Sequence, residues 1–364
     1  PSRLPHSPFL RDRAVHRVNG PGMWWAWGGN LNLGAVAMNA MRGLRRWLGC
    51  GGTLRRGSGS AVPRGGTLWG LLPVLMLGGL TLAAPAQYRF RTEVNPDGTL
   101  TVYKGDVCPS GMLAIPDTID GQTVTRIGQG ALYGCKGLTG VIIPDSVTSI
   151  GAESFGECTG LTTVTIPNSA ITIGDSAFAD CTGLTQITLP DSLTSIGDWA
   201  FRACGRLTTI TFPDSVTALG DGAFYACTGL TSIEIPENVT SLKPETFAYC
   251  TGLTNVTTPE RLANIADLAF VQCTSLTGVR LGNAITNIGC AAFTGSGITS
   301  ITIPGSVRGM GGLVTDNNKV WQCGSFSSCL SLTNVTILDG VEEITASAFD
   351  GCSKLATALM PLSL

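Results

Sequence analysis

Histidine is almost absent from this chain of 364 residues: the two that occur, His6 and His16, both fall in its first twenty positions. Beyond them, a catalytic triad or a metal site built on imidazole is excluded. No C-x-x-C pair, P-loop, dinucleotide-binding glycine fingerprint or G-x-S-x-G elbow occurs either, so the usual marks of zinc, nucleotide and serine-hydrolase chemistry are missing. Asp145, Asp191, Asp214, Glu237 and Glu260 sit where turns begin, which accounts for them without catalysis. On these grounds the expectation is a protein that is not an enzyme, with no catalytic, cofactor-binding or metal-ligating residues.

Positive charge is scarce past residue 86. Residues 1–86 hold ten Lys/Arg and one acidic residue, whereas 87–364 hold thirteen basic and twenty-four acidic residues, a formal charge of −11. That balance argues against nucleic acid as a partner. The basic part reads as targeting sequence. Arg55, Arg56 and Arg64 precede an apolar run, Leu68 to Leu77, and then Ala84-Pro85-Ala86, an A-x-A-like cleavage site. Residues 55–86 are therefore expected to be a secretory signal, with no stable membrane span once it is removed; a retained anchor and incidental hydrophobicity are the alternatives. Residues 1–54 show no sustained period and read as a disordered or misassigned extension.

What the chain has in abundance is repetition. Cys135, Cys158, Cys181, Cys204, Cys227, Cys250 and Cys273 fall 23 residues apart, and Cys329 to Cys352 repeats the interval. A unit this short cannot bury its own apolar face, so its copies must stack. In the copy LTTVTIPNSAITIGDSAFADC, Val164 and Ile166 alternate with Thr163 and Thr165 as in a half-buried strand, and Pro167 ends the strand. Ile173, Phe178 and Cys181 have the spacing of one stripe on a short helical or 3₁₀ return. The expected fold is an α/β solenoid: a curved, right-handed stack of about ten coils, each a short strand plus a short helical return. Phe155, Phe178, Phe201, Phe224, Phe247, Phe270, Phe293, Phe326 and Phe349 then form one internal column. Leu132 takes its first place, and Leu138, Leu161, Leu184 and their successors form another column.

The unit L-x-x-V/I-x-I-P-x-S-V-x-x-I-G-x-x-A-F-x-x-C resembles the leucine-rich repeat of the BspA type, over about residues 111–360. The resemblance implies surface display, adhesion or protein binding without fixing a ligand. Ahead of the repeats, residues 87–110 alternate around Asn95-Pro96-Asp97-Gly98 and are expected to form a hairpin that covers the first coil, leaving 111–364 as the solenoid.

Three features are candidates for function. The strand positions Thr163, Thr165, Thr209, Thr211, Glu234, Asn255 and Arg280 face outward and suit a wet contact with protein or glycan, although β-branched residues also simply favour exposed strands. An insertion near 310–322 adds Asp316, Asn317, Asn318, Lys319 and Trp321 as a local candidate for partner contact, set against a tolerated insertion without function. Cys290 and Cys323 each lie three residues before a column Phe, so register places them side by side as a candidate disulfide. The column cysteines are read chiefly as buried free thiols; disulfides between neighbouring coils and metal binding are the alternatives.

The favoured function is an exported surface or extracellular module for binding and adhesion, its partner a protein or glycan on a cell surface or envelope. A passive repeat spacer is the alternative, and a hydrolase a distant one. No polar closing coil follows Ser353-Lys354-Leu355, so truncation, a tolerated ragged end and end-to-end dimerisation of an otherwise monomeric chain are all open.

Overall fold

In the computed structural model, residues 88–316 and 319–361 are described. The expected extension and signal lie outside the described residues. The chain divides into two units, Pro1–Leu82 and Ala83–Leu364, and the second is the solenoid.

It consists of about eleven coils, one more than the period suggests, because Gly111–Ala114 already forms the first strand. Each coil passes three stations. The first is a short strand such as Leu138–Ile142, Thr163–Thr165 or Gln186–Thr188, paired in parallel so that Val141, Val164 and Ile187 lie in line. The second is a two-residue strand at the corner, such as Thr172–Ile173 or Ser195–Ile196, again in parallel register. The third is the return. Pro144, Pro167 and Pro190 separate the first two stations because each accepts a turn bond through its carbonyl while lacking an N–H for the ladder.

The return is not helical, and no helix occurs among the described residues. In one coil, Ser154, Gly156 and Cys158 donate their N–H groups three residues back, to Gly151, Glu153 and Phe155. Glu153 and Glu157 take left-handed backbone angles, φ 54° and 55°, which breaks any run of helical residues. The intervening N–H groups of Glu153, Phe155 and Glu157 reach forward to the carbonyls of Asp175, Ala177 and Ala179 in the next coil, each at 2.8 Å. Strand-side bonds run the opposite way: Thr162, Ile171 and Gly174 donate back to Thr139, Thr148 and Ile150. The spacing of Ile173, Phe178 and Cys181 marks a turn edge on which bonds within the coil alternate with bonds to the next one.

The core follows from this stack. The column phenylalanines are parallel, with ring centroids 5.0–5.5 Å apart and planes within 13° of one another. All are fully buried except Phe349, which is only partly so, and Leu132 is buried beside the first. Ahead of the first coil, Arg91–Val94 pairs antiparallel with Leu100–Tyr103 as a hairpin. Its second strand is buried and pairs with Gln122–Ile127, so the hairpin extends the corner ladder.

One corner position controls how closely coils approach. A Cβ on Gly174, Gly197 or Gly220 would lie 2.4–2.7 Å from backbone atoms of the preceding coil. With glycine there, the N–H bonds back at 2.8–2.9 Å; with Ala266 the bond lengthens to 3.2 Å. At Lys243 it is not made, and Thr240 makes none to Thr217. The next residue, Pro244, has no N–H to give Asp221, although Asp175 and Asp198 each accept one from the coil that follows them. The corner ladder is therefore interrupted between Leu219 and Ser241, and the sheet ends there.

Candidate functional site

The strand face carries most of the outward residues read from the sequence. Thr163, Thr165, Thr209, Thr211, Glu234, Asn255 and Arg280 are exposed, while the residues between them, such as Val164, Ile210, Ile233 and Val256, are buried. Thr162, Thr185 and Thr254 each donate a hydroxyl to the threonine carbonyl one coil back, which fixes the start of each rung. Arg280 is not free: its guanidinium contacts the Glu260 carboxylate at 3.1 Å.

The face is broken at two places. Thr209 and Thr211 do not lie on a strand, because Phe212 stands where other coils carry Ile143, Ile166, Leu189 or Ile235. The larger ring packs edge-on against column Phe224, centroids 5.5 Å apart and planes at 78°, and remains partly exposed. Overfilling this site displaces 209–211 from register. In that segment only Thr208 keeps a backbone bond across the strand face, accepting from Thr231 at 3.2 Å. Grooves of about 440 and 460 Å³ flank the Phe212 ridge. They are lined by Asp191, Asp214, Glu234 and Glu237 as well as hydroxyls, and by no Lys or Arg. The second break separates Gly278–Arg280 from Ser300–Ile303, where another groove of about 450 Å³ opens beside Arg280 and Asn334.

The insertion is an antiparallel hairpin, Gly312–Asp316 with Lys319–Cys323. Asp316 stands opposite Lys319 and Trp321 opposite Val314 in backbone register; Asn317 and Asn318 lie outside the described residues. At its base Cys290 and Cys323 are bonded, with Cα atoms 5.3 Å apart. Among the described residues, those that line the Phe212 grooves all come from 187–237 and none from the hairpin.

The cysteine column needs one correction. Cys135 is not a free thiol but is bonded to Cys108, Cα–Cα 5.1 Å, a pairing hidden from the period because Cys108 is 27 residues away instead of 23. Cys158, Cys181, Cys204, Cys227, Cys250, Cys273, Cys329 and Cys352 are free. Each thiol donates to the column carbonyl of the preceding coil, as Cys227 does to Phe201 at 3.0 Å and Cys250 to Phe224 at 3.2 Å. Burial pushes the Cys158 thiol up to about 11 and that of Cys250 to about 12. Those two thiols are acids held neutral, unsuited to nucleophilic work. No cluster of three or more His, Cys, Asp or Glu is placed to hold a metal ion among the described residues.

Sequence reading missed an aromatic patch on the turn edge. Trp199, Tyr225 and Tyr249 contact in series, with centroids 5.5 and 5.2 Å apart. Burial and the neighbouring Asp198 raise the Asp221 carboxyl, and burial and Asp221 raise that of Glu245. The 23-residue alignment does not predict the patch, since the rings come from different stations of the unit.

A model of the BspA type leucine rich repeat region matches in six copies, over residues 115–231, 194–320 and 319–364. A leucine-rich repeat protein of Bacteroides ovatus ATCC 8483 is similar in structure at 27% identity and TM-score 0.60, over 74% of each chain. A leucine rich repeat protein of T. pallidum shares 28% identity over 56% of this chain and 83% of its own, TM-score 0.41. A leucine rich cell surface protein of Faecalibacterium prausnitzii A2-165 aligns at 24% identity over 76% and 95%, TM-score 0.38. No curated protein matches the sequence significantly.

Proposed function

The chain belongs to the BspA-type leucine-rich repeat family, and from that premise we propose that it is an exported binding module that holds a macromolecule on its strand face. The observation that carries this reading is the interruption at Phe212, where a regular polar face gives way to two acidic grooves around a partly exposed aromatic ring. Aromatic residues are enriched at protein contacts, and carboxylates without a cationic neighbour favour a partner with basic side chains. The partner is an extended, basic segment of a protein on a cell surface or envelope. The hairpin at Gly312–Cys323 is a second contact for the same partner.

Export is supported by the apolar run before Ala84-Pro85-Ala86 and by the Cys108–Cys135 and Cys290–Cys323 bonds, since disulfides persist in oxidising compartments. No helix among the described residues is long and apolar enough to cross a membrane.

The test is binding to fixed cells and envelope fractions. It compares the full chain with the double variant Asp214→Lys/Glu234→Lys and with a chain in which residues 313–322 are replaced by a short Gly-Ser link. Loss of binding in the charge-reversed variant, together with weakening of the native chain's binding by added salt, is the expected result. Equal binding by all three chains, or none by any, returns the molecule to the class of passive spacers.

A further inference from the structure

The aromatic patch of the turn edge sits beside a carboxylate that the repeat leaves without a donor. At one station of the unit, Asp175, Asp198 and Asp267 each accept the backbone N–H of the next coil, from Asp198, Asp221 and Cys290 at 2.7–2.9 Å. Asp221 is the exception, because the residue one coil on is Pro244. Among the described residues its carboxylate accepts no hydrogen bond, and neither Asp221 nor Glu245 belongs to any of the three ion pairs. Burial and Asp221 raise the Glu245 carboxyl, so the two acids lie in one another's field. Burial and Asp198 raise that of Asp221 against an opposing pull from Lys243, which makes no ion pair with it. The rings adjoin these acids. Trp199 donates its backbone N–H to the Asp221 carbonyl at 2.8 Å, and its indole lies over Gly222, where a Cβ would fall 2.2 Å from the ring. Tyr225 follows Asp221 by four residues, as Tyr249 follows Glu245. Tyr249 is exposed, and Trp199 and Tyr225 are partly so. The hydroxyls of Tyr88, Tyr103 and Tyr133 bond within the protein, to Val107, Glu93 and Glu157. Among the described residues those of Tyr225 and Tyr249 do not.

We infer that this patch receives an arginine side chain of a protein partner, its guanidinium laid on the Trp199–Tyr225–Tyr249 row and hydrogen-bonded to Asp221 and Glu245. The face of an aromatic ring attracts a cation, that of tryptophan most strongly. A guanidinium is planar and carries five N–H donors, so it can stack on a ring and bond a carboxylate at once. A quaternary ammonium has no N–H and would leave Asp221 as it is. A lysine ammonium has donors but is compact and strongly hydrated, with no flat face to stack. A metal ion is disfavoured, because no cluster of three or more His, Cys, Asp or Glu among the described residues is placed to hold one. The site lies on the turn edge and is independent of the contact proposed for the strand face.

The experiment is saturation-transfer NMR on the folded full chain with the blocked tripeptide acetyl-Gly-Arg-Gly-amide. Matching peptides with lysine, or with citrulline, which keeps the planar shape without the charge, serve as controls. Saturable transfer to the arginine methylene protons is expected, at an affinity about fivefold or more above either control. Asp221→Asn should weaken arginine binding by about fivefold or more, and Tyr249→Leu should weaken it measurably. Tyr249 is exposed, so its variant keeps the test decisive where another folds poorly. Absence of saturable transfer overturns the inference, as do equal affinities for arginine and citrulline, or native affinity in both variants. Loss confined to Asp214→Lys/Glu234→Lys would put the arginine in the Phe212 grooves, overturning this site and leaving the strand-face contact standing.

Discussion

The turn edge and the strand face are built from the same repeats, yet one is continuous and the other is broken. Along the turn edge, forward bonds run without a gap from Leu132 to Ser154, through Phe224 to Thr246, and on to Phe326 and Ala348. They include the joint at Pro244, whose carbonyl still accepts from Gly222 at 2.9 Å. On the other side, Phe212 displaces one strand and Lys243 opens the corner ladder, both at the middle of the stack. The difference shows where the fold is held. The Phe column and the turn bonds maintain coil order, so the strand side can accept residues that the repeat otherwise excludes.

The largest expected effect is on the continuous side. Phe224→Ala should destabilise by about 3–5 kcal/mol, because stacked rings above and below hold the cavity open. Denaturant unfolding measures this, and a loss below about 1 kcal/mol would show that the column is not the main support. Next, Gly197→Lys should reproduce the Lys243 interruption in a regular coil at a cost of about 1–3 kcal/mol. Hydrogen exchange should then show Gly197 N–H unprotected while Phe201 N–H stays protected.

The thiol column gives a pH test of the same contrast. Because burial raises the Cys158 thiol from 9.0 to about 11, the unfolded chain loses that proton first. The stabilisation is complete below pH 9 and is lost as pH rises toward 11, at up to about 1.4 kcal/mol per pH unit. Cys158→Ala should remove that share of the slope when urea midpoints are compared across the range. An unchanged slope would mean that the thiol is already accessible. On the broken side effects should be smaller: Phe212→Ile is expected to change stability by less than about 1.5 kcal/mol while restoring strand protection at 209–211. Smallest of all, Thr165→Ala should stay within about 0.5 kcal/mol, since its side chain is exposed.

Much of this architecture is legible in the sequence because each buried station recurs: the strand alternation of Val164 and Ile166, the stop at Pro167, and the positions of Phe178 and Cys181. The turn edge was misread because helical spacing and stacked turns place apolar residues at the same intervals. The residues forced into left-handed angles, among them Trp199, Glu245 and Leu268, are not the glycine or asparagine that would have marked them. Cys108 escaped because it is out of register. The candidate face was legible as a row of polar residues, but its grooves were not: they depend on Phe212 being too large for a place that Ile and Leu fill elsewhere. Departures from the repeat at Phe212 and at Lys243-Pro244 were visible and carried the missing information.

The opposed directions of the bonds have an electrical consequence. In the coils of regular sequence the turn-edge amides, such as those of Glu153, Phe155 and Glu157, point toward the next coil, while the backbone amides of Thr162, Ile171 and Gly174 point toward the previous one. Within the short strands, peptide groups alternate, so sheets contribute only small net dipoles. An α-helix sums its peptide dipoles to about half a charge at each end. In this stack the two sets oppose each other, so adding coils does not build a pole as lengthening a helix does. What a partner senses at a distance is then set chiefly by where the solenoid places its surplus of carboxylates.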